Sequence, residues 1–117
     1  EGVSKGRISI NKVCELTSTN IAKIYGCYPQ KGIIAPGSDA DIVLVDMEKE
    51  VTLSKDVLHN NISYCLHDGF HVKGYPVMTI AKGKVIVENG EFKGQEGSGE
   101  FIKRKINPEY LKKYGLN

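Results

Sequence analysis

The sequence has no tryptophan, only three cysteines and no marked excess of either charge. The cysteines, Cys14, Cys27 and Cys65, have no CxxC spacing, which favours reduced thiols over a disulfide framework or a zinc knuckle. No apolar run reaches the roughly 18–20 residues that cross a bilayer, and the N-terminal residues lack a signal-peptide core. With a net charge of +2 and scattered basic residues, no nucleic-acid partner is expected. We therefore expect a cytoplasmic protein with no membrane or nucleic-acid partner.

The composition that remains is that of a globular domain. The 117 residues are 40% hydrophobic and 26% charged, which is far from the composition of a disordered segment. This length corresponds to a single domain by the usual size range. The first residue is Glu1 rather than methionine, and we expect the chain to be part of a longer polypeptide.

The N-terminal part of the chain has a helical pattern with one polar interruption. Between residues 9 and 25 the apolar side chains recur at steps of three and four. The run Thr-Ser-Thr-Asn at 17–20 breaks the pattern because such side chains bond to nearby backbone groups. We predict two helices, 10–17 and 20–25, with Asn20 capping the second. A cap there leaves main-chain groups of Asn20 able to meet an amide-containing ligand, although an ordinary cap explains the same residues.

The remainder of the chain is predicted to form short strands followed by a tail. The predicted strands are 40–46, 50–53, 70–73, 77–82 and 84–88, with a turn at 47–49 and a break at 74–76. Asn89-Gly90 is a strong hairpin signal, and residues 54–69 give no clear one. A small-residue connector then leads to a short helix at 109–113. The sequence therefore predicts the α+β fold class.

Two groups of residues suggest metal or acid–base chemistry but fit simpler explanations better. His59, His67 and His71 have none of the spacings typical of zinc sites, so we predict structural or solvated histidines and no metal ligand among them. Asp39 and Asp41 are predicted to satisfy backbone donors at a turn and at the start of a strand. No neighbouring base or nucleophile completes a catalytic site, so we predict no catalytic residue in this chain.

Several stretches of the sequence resemble one family of enzymes. Residues 15–32, 36–43 and 79–90 look like the C-terminal part of a dihydropyrimidinase or D-hydantoinase, which are cyclic amidases of the amidohydrolase superfamily. The first two stretches also recur in allantoinases and dihydroorotases. Residues 72–77 and 83–92 point more narrowly to hydantoinases. The resemblance covers nearly the whole chain.

The resemblance implies a larger parent protein with two parts. One is a (β/α)8, or TIM, barrel that holds two zinc ions bridged by a carboxylated lysine, and the other is a small β-sandwich. Residues 1–26 would be the last helices of the barrel, and residues 30–93 the C-terminal strands of the sandwich. Residues 94–117 would be a tail that contacts a neighbouring subunit. The parent would be a cytoplasmic homotetrameric hydrolase that opens dihydropyrimidine or hydantoin rings.

The resemblance transfers only one functional residue to this chain. Asn20 matches the residue whose main chain binds the amide of the cyclic substrate, although the family usually has proline where this chain has Ile21. The metal ligands of the family lie upstream of the matched region, so the chain itself is expected to hold no cofactor. We expect the isolated chain to be inactive and to associate with itself as a dimer or larger, because strand edges and apolar faces would lack their partners.

Three alternatives remain open at this point. The parent could be an allantoinase-type amidohydrolase, or a non-catalytic dihydropyrimidinase-like assembly protein that shares the fold without the metal ligands. The chain could also be an independent β-rich interaction module with no enzymatic parent. The sequence upstream of Glu1 and assays on different cyclic ureides would separate these possibilities.

Overall fold

The computed structural model describes residues 2–58 and 61–113. Its first regular structure is a continuous helical stretch. The stretch comprises α1 (Ile10–Cys14), a π-helical segment (Glu15–Thr19) and α2 (Asn20–Ile24). Ser9 begins it, because its side chain accepts a hydrogen bond from the Lys12 backbone at 3.1 Å. Gly26, with φ of 71°, follows its end and supplies the left-handed conformation typical of that position.

The prediction of two separate helices is wrong. The junction residues Cys14, Glu15, Thr19 and Asn20 all have right-handed helical backbone angles, so the chain does not leave the helix at the polar run. Thr17 Oγ1 instead donates to the Val13 carbonyl at 2.8 Å, within the helix. Hydroxyl groups that bond back in this way distort a helix without ending it. The polar run therefore widens one turn into a π-helical segment.

In the described part of the chain, a four-stranded antiparallel sheet follows the helix. Its strands are β1 (Ile42–Thr52), β2 (His71–Ala81), β3 (Lys84–Glu88) and β4 (Glu91–Phe92), and they are adjacent in chain order. A short helix, α3 (Pro108–Lys113), follows the connector. The α+β class, the strand at 84–88 and the hairpin turn at Asn89-Gly90 are confirmed.

The predicted turn at 47–49 and the predicted break at 74–76 are both wrong, because β1 and β2 continue through them. The pairs that flank this region are Asp46 with Tyr75 and Glu50 with Lys73. Three residues of β1 thus face Gly74 alone, and Gly74 takes a φ of 89°. The extra residues form a bulge, and the antiparallel pairing resumes on the far side. The residues that predicted a turn, 47–49, therefore lie in the bulge within β1.

Few side chains are buried in this chain. Among the described residues, Ala22 is the only buried hydrophobic residue, at 6% exposure. The edge strand β1 exposes Val43 and Leu44 by 54% and 46%, although the segment is a continuous aliphatic run. Aliphatic strands of this kind are usually covered on both faces. Within the described ranges no helix is long and apolar enough to cross a membrane.

Candidate functional site

Asn20 lies where the π-helical segment passes into α2. Its backbone N–H donates to the carbonyl of Glu15, and the residue is half-buried. The prediction that a cap leaves this N–H unsatisfied is therefore wrong, because Asn20 is a helical residue rather than a cap. Single π-helical turns inside α-helices are frequent at functional sites. The position of Asn20 in such a turn is compatible with a binding role, and that role itself stays a prediction.

The turn before Asn20 is held by the loop that follows the helix, 13 residues further along the chain. Thr19 Oγ1 donates to the Gly32 carbonyl at 2.7 Å, and this contact is partly buried. Gly32 also lies directly against the one buried hydrophobic residue of the described chain, since a Cβ placed on Gly32 would lie 2.5 Å from the Ala22 Cβ. The backbone of the loop and the helix therefore approach as closely as a glycine allows.

The same loop is joined to the start of the sheet by a cluster of charges. Lys31 Nζ lies 2.9 Å from Asp39 Oδ2 and also pairs with Asp41. Asp41 Oδ1 accepts a hydrogen bond from the Lys82 backbone at 2.8 Å, in the turn between β2 and β3. The expectation that Asp41 satisfies a backbone donor is thus confirmed. Asp39 is held by side chains instead, because Oδ2, the oxygen that pairs with Lys31, also accepts a hydrogen bond from Gln30 Nε2 at 3.2 Å.

The charges in this cluster shift one another's protonation equilibria. The hydrogen bond from Lys31 lowers the pKa of Asp39. Burial opposes ionisation of Asp41, but the hydrogen bonds from Lys31 and from the Lys82 backbone outweigh it and lower the Asp41 pKa. Burial likewise opposes the charge on Lys31, yet its bonds to Asp41 and Asp39 raise the Lys31 pKa. The cluster is therefore fully ionised at neutral pH.

These shifts predict an acid-sensitive contribution to stability. The pKa values of Asp39 and Asp41 are lower in the folded chain, so their contribution is present above the unfolded value of about 4 and is lost as the pH falls through the lowered values. The Lys31 contribution persists until the pH rises above about 10. We expect Lys31→Met to reduce the loss of melting temperature between about pH 5 and pH 3, measured by circular dichroism. An equal acid loss in both proteins would contradict this assignment.

An open groove of about 720 Å³ runs between the helix, the loop and the first residues of β1. Its lining includes Thr17 and Ser18 from the π-helical segment, Ile33 from the loop and Val43 from β1. The groove thus separates the helix from the sheet, and its wall on the sheet side includes apolar side chains of β1.

The two histidines that the structure describes, His67 and His71, make their contacts away from this site. His71 makes contacts of 3.2 Å with Glu50 and 3.3 Å with Thr52 across β1 and β2, at an exposed position. His67 packs against Phe70, with ring centroids 5.3 Å apart. His59 lies outside the described residues. In the part of the chain that the structure describes, no group of three or more His, Cys, Asp or Glu side chains could hold a metal ion.

The sequence singles out Asn20, Asp39 and Asp41 but not the residues that connect them. It presents Thr19 only as part of a polar run and gives no role to Lys31. The signal available was the short loop between Lys31 and the Asp39-x-Asp41 pair, in which a single cation can reach both carboxylates. The contact between Thr19 and Gly32 had no signal in the sequence.

Comparison with known proteins now gives the family. The sequence pattern of the amidohydrolase family matches residues 2–86. This chain belongs to the amidohydrolase family. The amidohydrolase chain is 46% identical over 105 residues to a D-hydantoinase from Ralstonia pickettii, and this match covers 90% of the chain and 23% of that relative. It is 45% identical over 102 residues to dihydropyrimidinase 2 from Caenorhabditis elegans, over 87% of the chain and 20% of that protein.

A solved structure agrees with these sequence relatives. The crystal structure of a dihydropyrimidinase from Brevibacillus agri superposes on this amidohydrolase chain with a TM-score of 0.84 and 44% identity, covering 88% of the chain and 22% of that structure. The chain thus spans less than a quarter of the length of the relatives it matches. Amidohydrolases are generally metal-dependent, and the described side chains do not offer a donor set that fits such a metal centre.

Proposed function

We propose that this chain is the C-terminal structural part of a metal-dependent cyclic amidase that hydrolyses the ring amide of hydantoins or dihydropyrimidines. The observation that carries the proposal is the similarity along almost the whole chain to D-hydantoinases and dihydropyrimidinases, in both sequence and backbone. In such a parent, a bound pair of zinc ions would supply a polarised carbonyl and an activated water. The residues that hold those ions would lie outside this chain.

The proposed parent explains why so much apolar surface is exposed here. Residues 1–26 would be the last helices of a barrel, and their outer faces would pack on the rest of it. Residues 30–93 would be the C-terminal strands of a sandwich, in which β1 acquires a neighbouring strand from an earlier part of the polypeptide. Residues 94–117 would be a tail that contacts another subunit of a homotetramer. The exposed aliphatic residues of β1 support the proposal of a further strand beside it.

Asn20 is the residue of this chain that we propose to contact the substrate. Its main chain lies at the end of a π-helical turn, and its N–H donates to the Glu15 carbonyl, which fixes its direction. A ring amide that approaches this turn would meet main-chain groups that the helix already orients. Orientation of the ring relative to the attacking water is the contribution expected of such a contact. The chain would thus position the substrate, and the rest of the parent would carry the chemistry.

The test is a comparison of the full-length polypeptide with this chain alone. The full-length polypeptide, loaded with zinc, is expected to open the rings of hydantoin and dihydrouracil. The reaction is monitored by the loss of the ring-amide absorbance and by chromatography of the ring-opened product. The 117-residue chain is expected to remain at the uncatalysed background. Ring opening of allantoin alone would favour an allantoinase, and no ring opening of any of the three by the full-length polypeptide would contradict the proposal. Turnover by the isolated chain would contradict the division of roles.

A further inference from the structure

The loop of residues 30–41 is fixed at both of its sides by different kinds of contact. On the helix side, Thr19 Oγ1 donates to the Gly32 carbonyl, and Gly32 packs on Ala22. On the sheet side, Lys31 is paired with Asp39 and Asp41 at the beginning of β1. Lys31 and Gly32 are consecutive, so the two sets of contacts meet within two residues of the loop.

We propose that this loop is a positioning device for the substrate-binding turn, with Thr19 and Lys31 as its positioning residues. The inference rests on the proposed function, since it assigns to these residues the task of fixing the main chain of Asn20 relative to the sheet. Neither Thr19 nor Lys31 is proposed to touch the substrate. They act by fixing the position of the turn that is proposed to contact the substrate.

The helix-side contact acts directly on the π-helical turn. Thr19 is the last residue of the π-helical segment and precedes Asn20. Its hydroxyl bonds to a carbonyl of the loop rather than to its own helix, unlike the hydroxyl of Thr17. The turn is thereby attached to a neighbouring element at the residue before the proposed binding position. Loss of this bond would let the turn relax towards a regular α-helix.

The sheet-side contact decides where the loop itself lies. The side chains of Lys31 and Asp39 are exposed by only 21% and 24%, so their attraction is screened less than that of a surface pair. Asp41 also accepts the Lys82 backbone N–H, which joins the cluster to the turn between β2 and β3. These contacts therefore fix the position of Gly32, and through it that of Thr19, relative to the start of β1 and the turn between β2 and β3.

The first test uses Thr19→Val and Thr19→Ser in the full-length, zinc-loaded polypeptide. Valine keeps the shape and removes the bond to Gly32, so KM for the ring substrate is expected to rise about fivefold with kcat within about twofold, since the contact with the substrate is loosened. Serine keeps the hydroxyl and is expected to restore KM. A merely structural role would lower the active fraction, and hence kcat, at an unchanged KM, and that result would overturn the proposal.

The second test asks whether Lys31 acts through the same loop. Lys31→Met is expected to raise KM about threefold, and the double variant with Thr19→Val is expected to show less than the product of the two single effects, because both act on one element. The matched control is Lys93→Met, which removes a lysine paired with Glu88 on the far side of the sheet. Independent, fully multiplying effects of Thr19 and Lys31 on KM would overturn the coupling.

A third measurement separates failure of this inference from failure of the proposed function. Amide hydrogen exchange of residues 19–24 in the full-length polypeptide requires only that it folds. Thr19→Val is expected to speed exchange there about fivefold while Thr19→Ser does not. If the wild type opens no ring but Thr19→Val still speeds amide exchange, the proposed substrate is wrong and the positioning role of the loop is supported. An unchanged exchange rate in Thr19→Val would contradict the positioning role of the loop, whatever the activity of the polypeptide.

Discussion

Gly32→Ala is expected to lower the free energy of unfolding by about 2–4 kcal/mol. Two costs add at this position. Gly32 has a φ of 83°, a conformation that alanine adopts only with strain, and the new methyl group would lie 2.5 Å from the Ala22 Cβ. The nearest atoms also include the Thr19 Cα at 3.2 Å, which belongs to the helix and has little freedom to move. The helix and the loop must therefore separate, and the contact from Thr19 to Gly32 would be lost with them.

The natural control for this variant is Gly37→Ala in the same loop. Gly37 has a φ of 88°, but a Cβ there would meet nothing within 4 Å, so the substitution carries the strain alone. We expect a loss of about 1 kcal/mol for it. Urea unfolding of both variants, at one fixed chain concentration, measures the difference. Equal losses for the two variants would show that the close approach of the loop to Ala22 contributes nothing.

The second large effect concerns the association of the isolated chain with itself. We expect the 117-residue chain to be a dimer or larger at micromolar concentration, because β1 is an edge strand with exposed aliphatic side chains. Replacing Val43 and Val45 by lysine places two like charges on one face of that strand. The expected result is a fall of the weight-average mass, measured by light scattering, to that of the monomer at 12.9 kDa.

Net charge must be controlled in that experiment. Glu91→Gln combined with Glu96→Gln changes the net charge by the same amount at exposed positions away from β1. This control is expected to keep the mass of the wild type. A monomeric wild type, or a control that dissociates equally well, would contradict the assignment of the association to β1.

The helical part shows how far local sequence reasoning reached. The three- and four-residue steps placed the helix correctly, because periodicity records which side of an element was selected to be apolar. The polar run at 17–20 predicts a boundary between two helices, but the structure has a π-helical segment at Glu15–Thr19 that continues directly into α2. Propensity treats threonine and serine as helix breakers, but Thr17 and Thr19 find carbonyl partners inside and beside the helix. Whether such partners exist depends on the surrounding structure.

In the sheet, local signals predicted the hairpin correctly but not the full length of β1. The strand at 84–88 and the turn at Asn89-Gly90 needed only local signals, and both are confirmed. Residues 47–49 predict a turn from local signals, yet the long strand β1 passes through them with a bulge. The pairing of β1 with β2 on both sides of the bulge holds the strand together. That pairing joins residues far apart in sequence, and no local window contains it.

The sequence by itself determined the family of this chain, its α+β character and the residue types available for a site. These follow from motifs and periodicities, which are local or nearly local properties. Only the tertiary structure decided that Asn20 directly follows a π-helical segment and that Thr19, Gly32 and Lys31 connect this segment to the sheet. The physical reason is that a hydrogen bond or an ion pair depends on which groups meet in space. The fold brings Thr19 to Gly32 and the Lys82 backbone to Asp41 across 13 and 41 residues of chain.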